Sequence, residues 1–170
     1  MIDTFLFKAF HGIALHYPLV QGLVIIFARF AIFAYPLLFL RFARWKRCIK
    51  LSLPSLALAY GINALISLVW YRDRPFVSLD AQPLFDTHYL HDSFPSDHAA
   101  LAMALAASIF LCAPRTRGVY AIVIAVLIGV ARIMAGVHYP SDILAGFGVG
   151  LFAAAIGKYI DHRVSNKPVL

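Results

Sequence analysis

Residues 119–160 read VYAIVIAVLIGVARIMAGVHYPSDILAGFGVGLFAAAIGKYI. Two apolar runs, Val119–Ala135 and Ser141–Ile160, approach the roughly twenty residues that a helix needs to cross about 30 Å of hydrocarbon. Neither run alternates with period two, so helices are expected rather than the strands of a barrel. The intervening Gly136–Pro140 is long enough only for a short turn. Arg132, His138 and Asp142 interrupt the apolar pattern at that end. Ionisable residues at membrane depth are expensive to bury, which makes all three functional candidates.

Working outward, the same pattern recurs at about Leu19–Leu40, Leu51–Tyr71 and, in a shorter run, Asp97–Cys112. Across 170 residues, 62% are hydrophobic and 14% charged, against about 45–50% and about 25% in a soluble domain. The expected architecture is therefore an all-α, polytopic transmembrane bundle of five spans, one membrane-embedded domain over residues 1–170. Residues 1–17 read differently. Phe5, Leu6, Ala9, Phe10 and Ile13 recur at helical spacing among Asp3, Lys8, His11 and His16, as in an amphipathic helix lying in the interface and ended near Pro18. The alternative is the start of a longer, bent first span, which would make six.

The net charge of +7 is distributed as membrane topology requires, not as a nucleic-acid face. Arg41, Arg44, Lys46, Arg47 and Lys50 crowd between two spans, which marks that loop as cytoplasmic. Alternation then puts Ala113–Gly118 and the carboxyl tail inside as well, with Arg115, Arg117, Lys158, Arg163 and Lys167. The Arg72–Ser96 loop and the Gly136–Pro140 turn fall outside. Cys48 and Cys112 both land on the cytoplasmic side, where reduced thiols are expected and a disulfide is not. Gly146 and Gly150 form a small-xxx-small pair, a signal for close helix packing.

Three polar clusters collect at the outer ends of the spans: Arg72-Asp73-Arg74-Pro75, Phe94-Pro95-Ser96-Asp97-His98, and Arg132 with His138 and Asp142. Arg74 and Arg132 offer planar forks suited to phosphate oxygens. Ser96 follows Pro95 at a helix start, where hydroxyl and backbone can present donors to an anion. Asp142, four residues after His138, can orient one ring nitrogen and leave the other free as a nucleophile. His98 can serve as general acid. This set requires no metal and no cofactor. His88, His91, Asp80, Asp86 and Asp92 in the outer loop could form a cation site, but solvated loop residues explain them more simply. Arg29, within the first expected span, has no evident role.

These clusters resemble the motifs of the type-2 phosphatidic acid phosphatase superfamily. Phe94-Pro95-Ser96-Asp97-His98 is similar to its Pro-Ser-Gly-His motif. Arg132, His138 and Asp142 match Arg-x5-His-x3-Asp, and Arg74-Pro75 matches the end of its first motif. The resemblance implies a phosphohistidine mechanism: His138 attacks phosphorus, His98 protonates the leaving group, and Arg74, Ser96 and Arg132 hold the phosphoryl oxygens. Two positions depart from the pattern. Ser67 stands where the family has a lysine, and Asp97 where it has a glycine. Both departures, with the run from Leu68 to Phe76, are similar to the bacterial undecaprenyl-diphosphate phosphatase branch, whose activity regenerates the lipid carrier of cell-wall synthesis and confers bacitracin resistance.

The expected substrate is thus a polyprenyl diphosphate, hydrolysed at the outer face of a bacterial cytoplasmic membrane. Phosphatidylglycerol phosphate or another phospholipid remains open. So does a protein that grips a lipid phosphate without cleaving it, although gripping would not need the His138–Asp142 pair. With the family lysine absent, Arg72 is the nearest uncommitted cation for the phosphates, and Asp97 adds a carboxylate beside His98.

Overall fold

A computed structural model of the chain describes residues 1–35, 45–87 and 92–165. In chain order its helices are α1 (Ile2–His16), α2 (Pro18–Arg29), a 3-10 turn (Ala31–Ala34), α3 (Trp45–Val69), α4 (Pro75–Ser78), α5 (Asp97–Cys112), α6 (Arg115–Met134) and α7 (Pro140–Ser165). No strand occurs among the described residues. Apolar side chains such as Leu68, Leu144, Leu151 and Phe152 point outward from the bundle, each more than half exposed. A surface of that kind is stable in lipid and not in water, and the chain is a multi-pass membrane protein.

The expected five spans are matched in part. Among the described residues, three helices are long and apolar enough to cross a membrane: Lys46–Val69, Arg115–Met134 and Pro140–Arg163. A fourth is counted only if α1 and α2, which meet at 117°, form one broken span. The expected first span, Leu19–Leu40, is not continuous, because α2 stops at Arg29 and a 3-10 turn follows. Residues 36–44, with Arg41 and Arg44 of the basic loop, lie outside the described residues.

The short helix α5 has 16 residues, a length of about 24 Å at 1.5 Å per residue. It is the middle of the bundle, packed by α3, α6 and α7. Its composition explains the place: Ala99, Ala100, Ala102, Ala104, Ala106, Ala107 and Ser108 are all buried and let neighbouring backbones come close. Gly146 and Gly150 of α7 complete that approach. A Cβ at Gly146 would lie 2.6 Å from the Ser96 carbonyl, and one at Gly150 would run into the Ala100 carbonyl. The small-xxx-small pair is therefore the face by which α7 closes on α5.

At the end of the bundle that carries the basic residues, the thiol expectation is overturned. Cys48, in the first turn of α3, and Cys112, the last residue of α5, form a disulfide with Cα atoms 5.4 Å apart. The expectation rested on compartment alone; sequence distance hid that the two helix ends abut. The bond staples α3 to the central helix.

The amino-terminal helix ends at His16, ahead of Pro18, and meets α2 at 117°, an arrangement compatible with both the interfacial helix and the longer, bent first span. Its faces are distributed as lipid would require. Phe5, Phe10 and Ile13 remain exposed, whereas Phe7, His11 and Ala14 are buried against the bundle. Asp3 begins that inward stripe, one turn before Phe7. His11 Nδ1 donates to the Met134 carbonyl (2.8 Å), which ties α1 to the carboxyl end of α6. The turn that follows needs its glycine: Gly136 has φ +82°, and a Cβ there would meet the His11 ring at 2.9 Å.

Candidate active site

Arg72, Arg74, Arg132, His138 and Asp142 converge where α1, α5, α6 and α7 meet the loop that precedes α5. His138 occupies the Gly136–Tyr139 turn between α6 and α7, and it is 2% exposed. Its Nδ1 lies 2.9 Å from the Ser93 carbonyl oxygen, and its Nε2 lies 3.1 Å from Arg74 Nη1. A carbonyl has no proton to give and a guanidinium has no lone pair to accept with. The tautomer is thereby fixed, with the proton on Nδ1 and the lone pair on Nε2. Burial first, and then the charges of Arg132 and Arg74, hold the His138 imidazole well below its usual pKa; the Ser93 contact works the other way. The ring is a neutral base whose lone pair faces a guanidinium.

Asp142 sits in the first turn of α7 and is fully buried. Its Oδ2 accepts from Ser93 Oγ (2.6 Å) and from the Tyr139 amide (2.7 Å). The same oxygen is 3.7 Å from His138 Nδ1, too far for a hydrogen bond. The direct Asp142–His138 bond expected from their spacing is thus replaced by a shared partner. Ser93 gives its hydroxyl to the carboxylate and its carbonyl to the imidazole. Sequence reasoning passed over Ser93, because a serine one residue after an aspartate in a polar loop carries no signal of burial.

Arg74 is the N-cap residue of α4, and Arg132 lies in the last turn of α6. They are 7% and 3% exposed. Arg74 Nη1 donates to the Val137 carbonyl (3.0 Å), and Arg132 Nη1 donates to the Ala28 carbonyl (3.2 Å). The Nε of each is buried with no hydrogen-bond partner among the described residues. An unpaired buried donor costs about 1–3 kcal/mol, more when charged. Two such donors beside one imidazole suit an anion with several oxygens, as a phosphoryl group has.

Ser96 is fully buried and N-caps α5, its Oγ accepting from the Ala99 amide at 3.5 Å. The Ser96 amide donates to the Asp142 carbonyl (3.1 Å), joining the starts of α5 and α7. His98, in the first turn of α5, is half-buried. Asp97 is exposed and accepts from Asn63 Nδ2 of α3 at 2.9 Å. Asn63, buried in an apolar span, is a polar residue that the sequence reading did not single out. Ser67 is exposed in the last turn of α3.

Arg72 has partners other than the expected ones. It donates from Nη1 to Asp142 Oδ1 (2.7 Å) and Ser141 Oγ (2.6 Å), and from Nη2 to Asp3 Oδ2 (2.6 Å). Its guanidinium also lies 4.0 Å from the Tyr139 ring centroid. Held this way, it neutralises Asp142 and does not stand free for a phosphate. Arg29 finds aromatic partners, 5.6 Å from the Phe30 centroid and 5.5 Å from that of Phe85. Phe85 also lies under Arg132 at 5.6 Å. Among the described residues no three His, Cys, Asp or Glu side chains are grouped to hold a metal ion; His88 and His91 lie outside those residues. Asp92 instead organises the loop, its Oδ1 accepting from the Arg72 and Phe94 amides.

The sequence profile of the PAP2 superfamily matches residues 49–165 of the chain. The chain belongs to that superfamily. Among its relatives is the undecaprenyl-diphosphatase BcrC of Bacillus subtilis, 32% identical over an alignment of 154 positions that covers 86% of this chain and 77% of that protein. Phosphatidylglycerophosphatase B of the same organism is 32% identical over 117 residues, 63% of this chain and 57% of that one. The crystal structure of Aquifex aeolicus LpxE superposes with a TM-score of 0.80 at 26% identity, covering 94% of this chain and 96% of that one. As a PAP2 protein, the chain has a bundle scaffold that extends well beyond the motif residues: α1, which lies before the matched region, reaches Ser141 of α7 through Asp3.

Proposed function

We propose that this PAP2 protein hydrolyses a lipid diphosphate by way of a phosphohistidine on His138. The observation that carries the reading is the single-tautomer imidazole, its Nε2 lone pair facing Arg74 beside two buried guanidinium N–H groups that lack acceptors among the described residues. A phosphoryl group bound by Arg74, Arg132 and Ser96 would present phosphorus to Nε2. The N–P bond forms as the P–O bond to the bridging oxygen breaks. Protonated His98 gives its proton to that oxygen, which leaves as the lipid monophosphate. Water then attacks phosphorus, its proton passing to His98, and the N–P bond breaks to release inorganic phosphate. Electrostatic stabilisation by preorganised donors is the main expected source of rate.

Undecaprenyl diphosphate is the substrate we favour, on the likeness to BcrC and on the two departures at Ser67 and Asp97. Catalysis at the outer face of a bacterial cytoplasmic membrane follows from the basic residues clustered at the opposite end of the bundle. Phosphate release from purified protein tests the reading, with undecaprenyl diphosphate, phosphatidylglycerol phosphate and phosphatidic acid as substrates in excess chelator. Release that is fastest from the diphosphate supports it. Tight binding with no release from any lipid would make the protein a carrier rather than a hydrolase.

A further inference from the structure

We infer that Asp3, on the amino-terminal helix, is a positioning residue of the reaction, acting on Asp142 through Arg72 and Ser141. The inference rests on the phosphohistidine reading and extends it to an element outside the family match. Asp3 uses both carboxylate oxygens. Oδ1 accepts from the Ser141 amide (3.0 Å), and Oδ2 accepts from Ser141 Oγ (2.6 Å) and Arg72 Nη2 (2.6 Å).

Two effects follow from that geometry. The Ser141 amide is in the first turn of α7, where amides have no partner within the helix. Asp3 supplies the acceptor from another helix and places a negative charge at the positive end of α7. It thus fixes the turn from which Asp142 projects. The second effect is on Arg72, which is shared between Asp3 and Asp142 through different nitrogens. Anchored at Nη2, Arg72 can present Nη1 to Asp142 Oδ1 in one orientation. That leaves Asp142 Oδ2 to Ser93 and the Tyr139 amide, and Ser93 in turn carries the His138 tautomer. The line from a lipid-facing helix to the nucleophile is therefore Asp3, Arg72 and Ser141, Asp142, Ser93, His138. Phe7 and His11, one and two turns along the same face, hold α1 in register by packing on Tyr139 and bonding the Met134 carbonyl.

The test is a double-mutant cycle on full-length protein in detergent micelles or nanodiscs, with His138→Ala carried as a control. Asp3→Asn should lower kcat by roughly tenfold, the scale of a lost charge-assisted hydrogen bond, with KM moved less than about twofold because no phosphate contact is removed. Asp3→Glu should recover part of the loss, which a merely structural role would not predict for a longer side chain at a tight contact. In an Arg72→Gln background, Asp3→Asn should change kcat little further, since Asn keeps an oxygen for the Ser141 amide and what it loses is mainly the charged contact with Arg72. The inference is overturned by kcat of Asp3→Asn within twofold of the parent, or by full additivity of the two substitutions. Retained activity in His138→Ala would instead remove the phosphohistidine reading, and this inference with it. An inactive His138→Ala beside a fully active Asp3→Asn removes this inference alone.

Discussion

Arg74 Nη1 lies 3.1 Å from His138 Nε2, with both side chains buried. The contact has consequences in both directions. The guanidinium marks where a phosphoryl oxygen would sit relative to the nucleophile, and its charge disfavours protonation of the ring. In the proposed mechanism the group that binds the phosphate would thus also keep the nucleophile in its reactive form.

The first prediction concerns pH. The His138 pKa is held well below the ordinary 6.5, so the neutral ring persists as pH falls through that value. The acid limb of kcat/KM set by His138 should therefore lie below pH 6.5 in the parent. Arg74→Gln removes one of the charges responsible and should move the limb to higher pH, whatever it does to the absolute rate. Profiles of kcat/KM against pH for the two proteins check this; equal limb positions would show that Arg74 does not set the His138 state.

The second prediction separates Ser93 from Asp142. Asp142→Asn removes the buried charge and should lower kcat by about a hundredfold or more, as loss of an orienting carboxylate does elsewhere. Ser93→Ala removes one hydrogen bond to Asp142 but leaves the backbone carbonyl on His138, so the loss should be closer to tenfold. Single-turnover rates with one lipid diphosphate measure both. An Asp142→Asn protein as active as Ser93→Ala would mean that the backbone carbonyl alone orients the ring.

A stability prediction follows from the glycines of α7. Gly150→Val puts a branched side chain against the Ala100 carbonyl and the Ala104 amide, and overpacking of that kind costs about 1–3 kcal/mol. Gly148 has nothing within 4 Å of its would-be Cβ, and Gly148→Ala should be neutral. Thermal unfolding in detergent should show a lower Tm for the first and no change for the second. Gly146→Ala should lower activity as well as Tm, because its neighbour is the Ser96 carbonyl.

Much of the site was legible in the sequence because its residues are ionisable and stand out against an apolar background. Arg74, Arg132, His138 and Asp142 come together as their motif spacing suggests, and the glycine pair packs as its spacing suggests. What stayed hidden was carried by residues with no such contrast. Ser93 and Ser141 are ordinary loop and helix-start serines until the fold buries or bonds them. Asp3 reads as the polar face of an interfacial helix, and only the position of α1 against α7 turns it inward. The Cys48–Cys112 bond was missed for a different reason: compartment was used as a proxy for distance. The broken first span was obscured because hydropathy measures length of apolar sequence and is blind to where a helix stops.

The same disulfide sharpens a topology test. The topology proposed from the basic residues has its end of the bundle in the cytoplasm, whereas disulfides persist more readily in oxidising compartments. In a Cys48→Ser, Cys112→Ser background, a cysteine at exposed Gln82 of the outer loop should react with an impermeant maleimide in intact cells. A cysteine at exposed Thr116 should react only after lysis. The reverse pattern would put catalysis on the cytoplasmic side.

The account turns on a covalent phosphate at His138. Rapid-quench of the parent with lipid diphosphate labelled in its terminal phosphate should trap an acid-labile, base-stable phosphoenzyme. The same experiment on His138→Ala should give no label and a rate reduced by about four orders of magnitude or more. Label retained in His138→Ala, or parental turnover without His138, would contradict the account.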